Sequence, residues 1–308
     1  MKIINFKLIV CAIALTAAST LASAQVKDIS HDFSSFDSID IDYDFHVNVV
    51  KSEKNYSVTA TVDDVLVEYV QTYVKGHTLY ITLDKKSLPS DIKKLYKGRK
   101  SESPILNATV YMASDLSSVK MSGASTLSVQ QDIECKEFNA EIDESAVINK
   151  LHVDASSFSI ASDNKSTANL VVYADDIKIT STGNSTININ QDSQKFEVNA
   201  SGSSKIDADG ESLETVLNTT ASSKVVVKGK TDNLSIKGEG LSNVDALNLQ
   251  TGDCSVELSG NCKVTEAAKN VLHISMKGSS TLVFDGEPVI DIINVKSSSI
   301  SRFENSKK

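Results

Sequence analysis

The sequence predicts an all-β fold: a right-handed parallel β-helix of about ten coils, each of about 19 residues, with an N-terminal β cap region. Three observations favour this class. Short alternating apolar and polar runs, separated by Ser-Gly or Asn-Ser turns, fill the chain. Trp is absent and Pro occurs only three times, while Ser, Thr, Asn, Val and Ile are abundant. A turn that often begins with Gly also recurs at a nearly constant spacing.

The N-terminus has the features of an export signal. Lys2 and Lys7 provide positive charge, an apolar stretch runs from Leu8 to Leu15, and Ala22-Ser23-Ala24 has the small residues of a cleavage site. We therefore predict a signal peptide over residues 1–24, cleaved before Gln25. The mature protein is expected to be secreted, periplasmic or exposed at the cell surface, with no membrane span.

Charge and cysteine content narrow the classes of partner. Removing residues 1–24 takes away two lysines and no acid, so the net charge falls from −9 to −11. This acidic balance argues against nucleic acid as a partner. Three cysteines remain, Cys135, Cys254 and Cys262, and an odd number cannot form a complete disulfide framework. Buried thiols are favoured over a disulfide between Cys254 and Cys262.

Residues 25–115 are predicted to form the N-terminal β region. Odd-numbered residues from Ile39 to Val49 are apolar or aromatic, which is typical of one half-buried strand. A second strand is expected over Tyr56–Val62, and a hairpin over Tyr69–Leu83 that turns at Gly76. The region is expected to close one end of the stack.

A basic insertion at residues 84–103 interrupts this region. Ser90 as the N-cap and Gly98 as the stop would bound a short helix that carries several lysines. We expect helix to be confined to this insertion.

Residues 116–308 contain the repeat, which is revealed by aligning the first residue of each turn. These anchor residues are Gly123, Asp143, Asn164, Gly183, Gly202, Ala221, Gly240, Gly260, Gly278 and Lys296. Successive anchors are 18 to 21 residues apart. Six are Gly and two are Asn or Asp, the residues that best tolerate positive φ at a tight corner. The repeat region is expected to continue directly from the N-terminal part as a single elongated domain.

Columns on either side of the anchor support this alignment. Every residue four positions after the anchor is apolar, and four positions before it only Asn139 is polar. Both columns should face a narrow core shared by all coils. Two positions after the anchor stand nine serines and Cys262, whose side chains are expected to bond the corner backbone or the next coil.

The sequence predicts no catalytic residue, no cofactor and no metal site. A nucleophilic serine needs one base in reach, whereas here serines form a column with no histidine column beside it. The five histidines lack metal-ligand spacing. Asp40, Asp42 and Asp44 would share one strand face, and a solvated acidic face is favoured there over a Ca²⁺ site.

A row of lysines is the candidate ligand-facing feature. Lys205, Lys224 and Lys263 share the position three residues after the anchor, with Asn243 between the last two. Such a row would attract an anionic glycan, although a solvated polar edge is the commoner outcome.

The chain resembles a family of secreted proteins typical of Bacteroidetes, the auto-transporter adhesins with a head GIN domain. The resemblance rests on Phe36-Asp37-Ser38-Ile39, the hairpin end Leu79-Tyr80-Ile81, the repeated Ser-Gly-x-Ser turns and Phe284-Asp285-Gly286-Glu287-Pro288. It covers nearly all of the mature chain. It implies a β-helix fold, a secreted or envelope location and an adhesin-like role, and it carries over no catalytic residue.

Together these features favour a non-enzymatic binding module for an extracellular glycan or a cell-surface protein. Two alternatives stay open. Polysaccharide lyases and hydrolases also use β-helices, but they need carboxylates clustered on an exposed face. The outward columns here carry mainly Ser, Thr, Asn and Lys, and we expect their charges of both signs to be dispersed. A structural envelope component without a ligand is the other alternative.

Overall fold

The computed structural model describes residues 26–96 and 103–303. The predicted signal peptide lies outside these described residues. The fold is nearly all-β, with 70% strand and 4% helix, and its parallel coils of about 19 residues form a β-solenoid of about ten turns. The predicted fold class is confirmed.

The N-terminal strands are β1 (Val26–Asp32), β2 (Ser38–Ile41), β3 (His46–Lys51), β4 (Ser57–Asp63), β5 (Val70–Lys75), β6 (Thr78–Leu83) and β7 (Leu106–Met112). The strands that follow are β8 (Ser118–Met121), β9 (Thr126–Val129), β10 (Ile133–Ile142), β11 (Val147–Ser162), β12 (Thr167–Ser181), β13 (Thr186–Ala200) and β14 (Lys205–Thr219). The last are β15 (Lys224–Gly240), β16 (Asn243–Gly260), β17 (Lys263–Gly278), β18 (Thr281–Asp285), β19 (Val289–Lys296) and β20 (Ser299–Arg302).

Helix is sparse. The insertion contains α1 (Ser90–Leu95), so a helix forms there as expected. Its N-cap is Pro89 and not Ser90, and Gly98 lies outside the described residues. A 3-10 helix also spans Asp64–Tyr69, so the expectation that helix is confined to the insertion is wrong. Its buried Leu66 fixes this turn against the core.

The N-terminal region contributes a coil to the stack itself. Strands β2 and β3 pair in parallel with β6 and β7 on one side and with β8 and β9 on the other. Antiparallel strands cover the outer end, with β5 beside β6, β4 beside β7 and β1 beside β4. The hairpin that turns at Gly76 is confirmed. The division of the chain near residue 115 stays a prediction.

The single strand predicted from Ile39 to Val49 is wrong. The chain bends between β2 and β3, and Tyr43 adopts φ 74° at the corner. The alternation continues through this corner because Phe45 on its far side is again buried. A period-two pattern alone therefore could not reveal the bend.

Two predicted anchors are displaced by one residue. Positive φ occurs at Glu144 and at Ser297, and not at Asp143 or Lys296. In the observed register Ala140 and Ile148 occupy the inward columns, and both are buried. The single polar exception in the predicted column, Asn139, therefore comes from the displaced alignment.

An aspartate explains why residues other than glycine occupy three of these corners. The backbone N–H groups of Tyr43, Glu144 and Asn164 donate to Oδ1 of the aspartate just before each, at 2.7, 2.6 and 2.6 Å. This local hydrogen bond stabilises the left-handed conformation. At Gly202, with φ +70°, a Cβ would lie 2.7 Å from the Gly183 carbonyl oxygen, so the spacing of the coils excludes a side chain.

Candidate functional site

Most of the serine column faces the interior, but Ser145 is exposed, because the corner there is displaced by one residue and Ala146 takes the inward place. Ser166, Ser185 and Ser223 are fully buried, and each hydroxyl donates to the carbonyl oxygen three residues earlier, at 2.8, 2.6 and 2.9 Å. Column members also bond between neighbouring coils: the Ser242 hydroxyl lies 3.4 Å from the Cys262 thiol, and the Ser280 hydroxyl donates to the Gly260 carbonyl oxygen at 3.3 Å. The predicted bonding to the corner backbone and to the next coil is confirmed. These hydroxyls close the corners and cannot reach a substrate.

The lysine row forms one exposed column. Lys205 lies directly opposite Lys224, Lys224 opposite Asn243, and Asn243 opposite Lys263 on successive parallel strands. All three lysines are exposed. Since neighbouring strands lie about 4.8 Å apart, Lys205 and Lys224 project side by side from adjacent backbone positions. Like charges directly opposite each other are unfavourable unless an anion compensates them.

The carboxylates of the adjacent outward column already have other partners. Asp207 forms an ion pair with Lys228 at 3.0 Å. Asp245 accepts hydrogen bonds from the Thr265 hydroxyl at 2.8 Å and from the Leu247 backbone N–H at 3.3 Å. Among the residues that the structure describes, none of the three row lysines forms an ion pair. The row is therefore a cationic strip without an internal counter-charge.

The acidic ladder of the N-terminal region does not form the predicted strand face. Asp40 lies on β2, whereas Asp42 and Asp44 lie in the corner. Asp42 Oδ1 accepts from the Tyr43 N–H and from the Ser122 hydroxyl, and Asp44 Oδ1 accepts from the Ala124 N–H. These carboxylates stabilise the corner.

The cysteines and histidines are dispersed. Cys254 and Cys262 are buried free thiols, and Cys135 is a half-buried free thiol. His152 contacts Asp132 at 2.7 Å and His273 contacts Asp291 at 2.9 Å, each as an isolated pair. Over residues 26–96 and 103–303 no group of three or more His, Cys, Asp or Glu side chains is placed to hold a metal ion.

An acidic groove escaped the sequence analysis. It is an open depression of about 840 Å³ at the second corner of successive coils, away from the Gly turns. Its lining includes Glu134, Cys135, Asp154, Asp175 and Asp192. Parallel pairing brings these residues together, because Glu134 lies opposite Asp154 and Tyr173 opposite Asp192 on successive strands. Aligning the sequence at this second corner, in addition to the Gly turns, would have revealed the acidic groove. The expectation that outward acidic residues are dispersed is wrong here.

A second missed feature is a carboxyl group inside the core. Glu266 is fully buried and occupies an inward position between Ala246 and Phe284 of the neighbouring coils. Neither carboxyl oxygen has a hydrogen-bond partner of good geometry within the described chain, although the Cys254 thiol and the Ala268 backbone N–H approach the group and partly offset the effect of burial on its pKa. Burial raises the pKa of Glu266 to about 7, because desolvation penalises the charged form. Its place two residues after inward-facing Val264 was the available sequence signal.

The nearby thiol of Cys254 shares this environment. Burial, and then the charge of Glu266, raise the pKa of Cys254 well above its usual value. A thiol with a raised pKa stays protonated and unreactive at neutral pH. The pair therefore has neither the exposure nor the thiolate character of a catalytic centre.

No helix within the described residues has the length and apolar character needed to cross a bilayer.

Solved structures of low sequence identity resemble this chain, and one with a TM-score above 0.5 indicates a shared fold. A structure described as a putative adhesin from Parabacteroides distasonis is 15% identical, with a TM-score of 0.51 over 91% of this chain and 98% of that chain. A putative adhesin from Parabacteroides merdae is 13% identical, with a TM-score of 0.46 over 91% of this chain and 97% of that one. A putative lipid binding protein from Parabacteroides distasonis is 16% identical, with a TM-score of 0.44 over 91% and 97%. No curated protein matches the sequence.

The sequence also matches a family model, described as "Putative auto-transporter adhesin, head GIN domain", in two overlapping segments, residues 35–191 and 163–288. These segments together include the coil formed by β2 and β3 and the stack from β8 to β18. The match therefore extends over most of the chain, and the protein belongs to this auto-transporter adhesin head GIN-domain family.

Proposed function

We propose that this protein is a non-enzymatic, secreted or cell-surface adhesin-like module that binds an anionic polymer, such as an acidic glycan, along Lys205, Lys224 and Lys263. One observation carries the proposal. Lys205 and Lys224 lie directly opposite each other and are exposed, and the nearest acidic column is already engaged by other partners. An anionic ligand would supply the missing counter-charge.

The geometry of the row fits a polymer better than a small ligand. Lys205 and Lys224 lie on the outward face of adjacent strands. Lys263 lies two strands beyond Lys224, because Asn243 occupies the strand between them. The outer charges are therefore separated by three strand spacings, about 14 Å. A chain molecule with repeated negative charges could follow this strip and contact all three ammonium groups.

The family description and the absence of an assembled reaction centre in the described residues favour binding over catalysis. Most of the serine column is buried, and burial raises the pKa of the Cys254 thiol well above its usual value. A carbohydrate-active enzyme is the alternative, and the acidic groove at the back of the coils is the feature that would have to serve it. A polysaccharide lyase or hydrolase would shorten a uronate polymer during incubation, whereas the proposed module leaves its length unchanged.

A charge-matched pair of variants tests the proposal. Changing Lys205, Lys224 and Lys263 together to Ser should weaken binding to a uronate polymer or heparin at low salt by at least about tenfold, and should reduce its salt dependence. The control changes exposed Lys54, Lys75 and Lys94 to Ser, which alters the net charge by the same amount.

Calorimetric titration of the three proteins distinguishes the outcomes. Loss of binding in the row variant alone supports the proposal. Equal weakening in both variants would show attraction by overall charge only. Unchanged binding in the row variant, or no binding by the native chain, would contradict it.

A further inference from the structure

The two ends of the stack differ. The N-terminal end is covered by the antiparallel strands β1, β4 and β5. At the C-terminal end, within the described chain, β19 pairs only with β17 and β20 pairs only with β18. Strand β19 exposes Val289, Ile290, Ile292 and Ile293, which are 70%, 43%, 58% and 69% accessible.

The open edge of β19 leaves both backbone groups and apolar side chains without partners. Its backbone N–H and C=O groups lack strand partners, and its aliphatic side chains extend the apolar core columns into solvent. Ile290 and Ile292 continue the inward columns of Leu272 and Ile274. Repeat proteins ordinarily need a polar cap at each end, and β19 has only Asp291 and Lys296 as charged residues.

The two charges of β19 are placed for pairing with an identical strand. Asp291 lies opposite His273 on the outward face, where its carboxylate contacts His273 Nδ1 at 2.9 Å and remains exposed toward the open edge. The register shifts between Ile292 and Asn294, so Lys296 lies opposite Lys277 and is also outward and exposed. In an antiparallel pair of two β19 strands, one register sets Asp291 of each strand opposite Lys296 of the other. That same register sets Ile292 opposite Val295, and both continue inward columns.

We propose that the open end is the interface of a homodimer, in which β19 of one copy pairs antiparallel with β19 of a second copy across a two-fold axis. The pairing satisfies both backbone edges, buries the exposed aliphatic side chains and forms the Asp291–Lys296 ion pair twice. A parallel pairing in register would place each charge against its own kind.

Head-to-tail stacking onto the N-terminal end fits poorly. The free edges there belong to β1, which carries Lys27, Asp28, His31 and Asp32, and to β5, which ends the same strand column as β19. Strand β1 offers charges and few apolar side chains, and β5 has Lys75 as its one charged residue and therefore no carboxylate to pair with Lys296. A two-fold pair complements both charges of β19, whereas head-to-tail stacking on β5 complements Asp291 alone.

Sedimentation of the full chain over a range of concentrations tests the inference, with charge reversals as probes. The native chain should form dimers. K296D should weaken dimerisation at least about tenfold, because the carboxylate introduced in each copy would then face Asp291 of the other. D291K should do the same through facing lysines. The double variant D291K/K296D restores opposite charges and should restore the dimer.

A reversal at the other end, K75D, is the control and should leave dimerisation unchanged. Recovery in the double variant also shows that the single variants fold. A native chain that is monomeric at all concentrations overturns the proposal. A dimer that persists in both single variants, or that the double variant fails to restore, overturns the proposed pairing.

Discussion

The corners of the coils depend on local hydrogen bonds that differ from one coil to the next. Glycine occupies most of them, while Tyr43, Glu144 and Asn164 rely on the preceding aspartate. Inside three corners the hydroxyl of Ser166, Ser185 or Ser223 bonds the carbonyl three residues earlier, and Cys262 takes the same role with its thiol 3.4 Å from the Ser259 oxygen. Ser204 departs from this pattern. It is fully buried, and its hydroxyl has no hydrogen-bond partner within the described residues.

Two serines of this column should therefore respond in opposite ways to alanine. Ser185→Ala removes a hydrogen bond of 2.6 Å to the Thr182 carbonyl and should lower the free energy of unfolding by about 1–2 kcal/mol. Ser204→Ala removes a buried hydroxyl without a partner and should leave stability unchanged or raise it by up to about 1 kcal/mol. Denaturant unfolding of both variants measures the difference. Equal losses would contradict the hydrogen-bond assignment.

At the scale of one coil, the sequence predicts the regular elements well. Glycine anchors such as Gly183 and Gly202 were placed correctly because positive φ and close approach of coils both favour glycine. Where the preceding aspartate stabilises the corner, the corner residue can be Tyr or Glu. Neither residue type indicates positive φ in a sequence. Tyr43 was therefore missed and Glu144 displaced by one residue. The acidic groove was missed because its residues come from five coils at a position with no marker residue.

The coil that contains Glu266 departs from the apolar pattern. A buried carboxyl without a partner is unfavourable when charged. Its pKa of about 7 in the folded state lies above the ordinary value of 4.5 that it regains on unfolding. Its contribution to stability is therefore fully present below about pH 4.5 and is lost as the pH rises through about 7. The difference corresponds to roughly 3 kcal/mol.

Replacing the Glu266 carboxyl should reduce the pH dependence of the free energy of unfolding. In Glu266→Gln the free energy of unfolding should change less between pH 5 and pH 8 than in the native chain, and the variant should be the more stable of the two at pH 8. Glu257→Gln is the control, since Glu257 is exposed and lies near Lys237 at 3.8 Å. Thermal melts of the three proteins at both pH values provide the measurement. A pH dependence that survives in Glu266→Gln would contradict the assignment.

At the scale of the whole molecule, the coils form a rod in which each coil contacts mainly its neighbours. This arrangement places equivalent outward residues in straight columns, and the lysine row is one result. It also makes the two ends different: antiparallel strands cover one, and β19 leaves the other open. The proposed binding along the side and the proposed pairing at the open end therefore use separate surfaces of the same rod.

The column that contains the lysine row runs along the stack from His46 to Ser299, so distances within it measure the spacing of the coils. His46 lies opposite Thr126, and successive pairings lead through Val147, Thr167 and Thr186 to Lys205 and onward to Lys263 and Ser299. Lys205, Lys263 and Ser299 thus lie five, eight and ten strands from His46. Spin labels at these exposed positions, in a Cys135→Ala background, report the separations directly.

Pulsed electron paramagnetic resonance on the three labelled pairs tests the stack most directly. Mixing with unlabelled chain restricts the measured distances to single molecules. A continuous stack with one strand spacing per coil predicts separations from His46 of about 24 Å to Lys205, about 38 Å to Lys263 and about 48 Å to Ser299. Distances that fail to rise in this order, or that fall together near one value, would contradict a single continuous stack of parallel coils that includes residues 38–51.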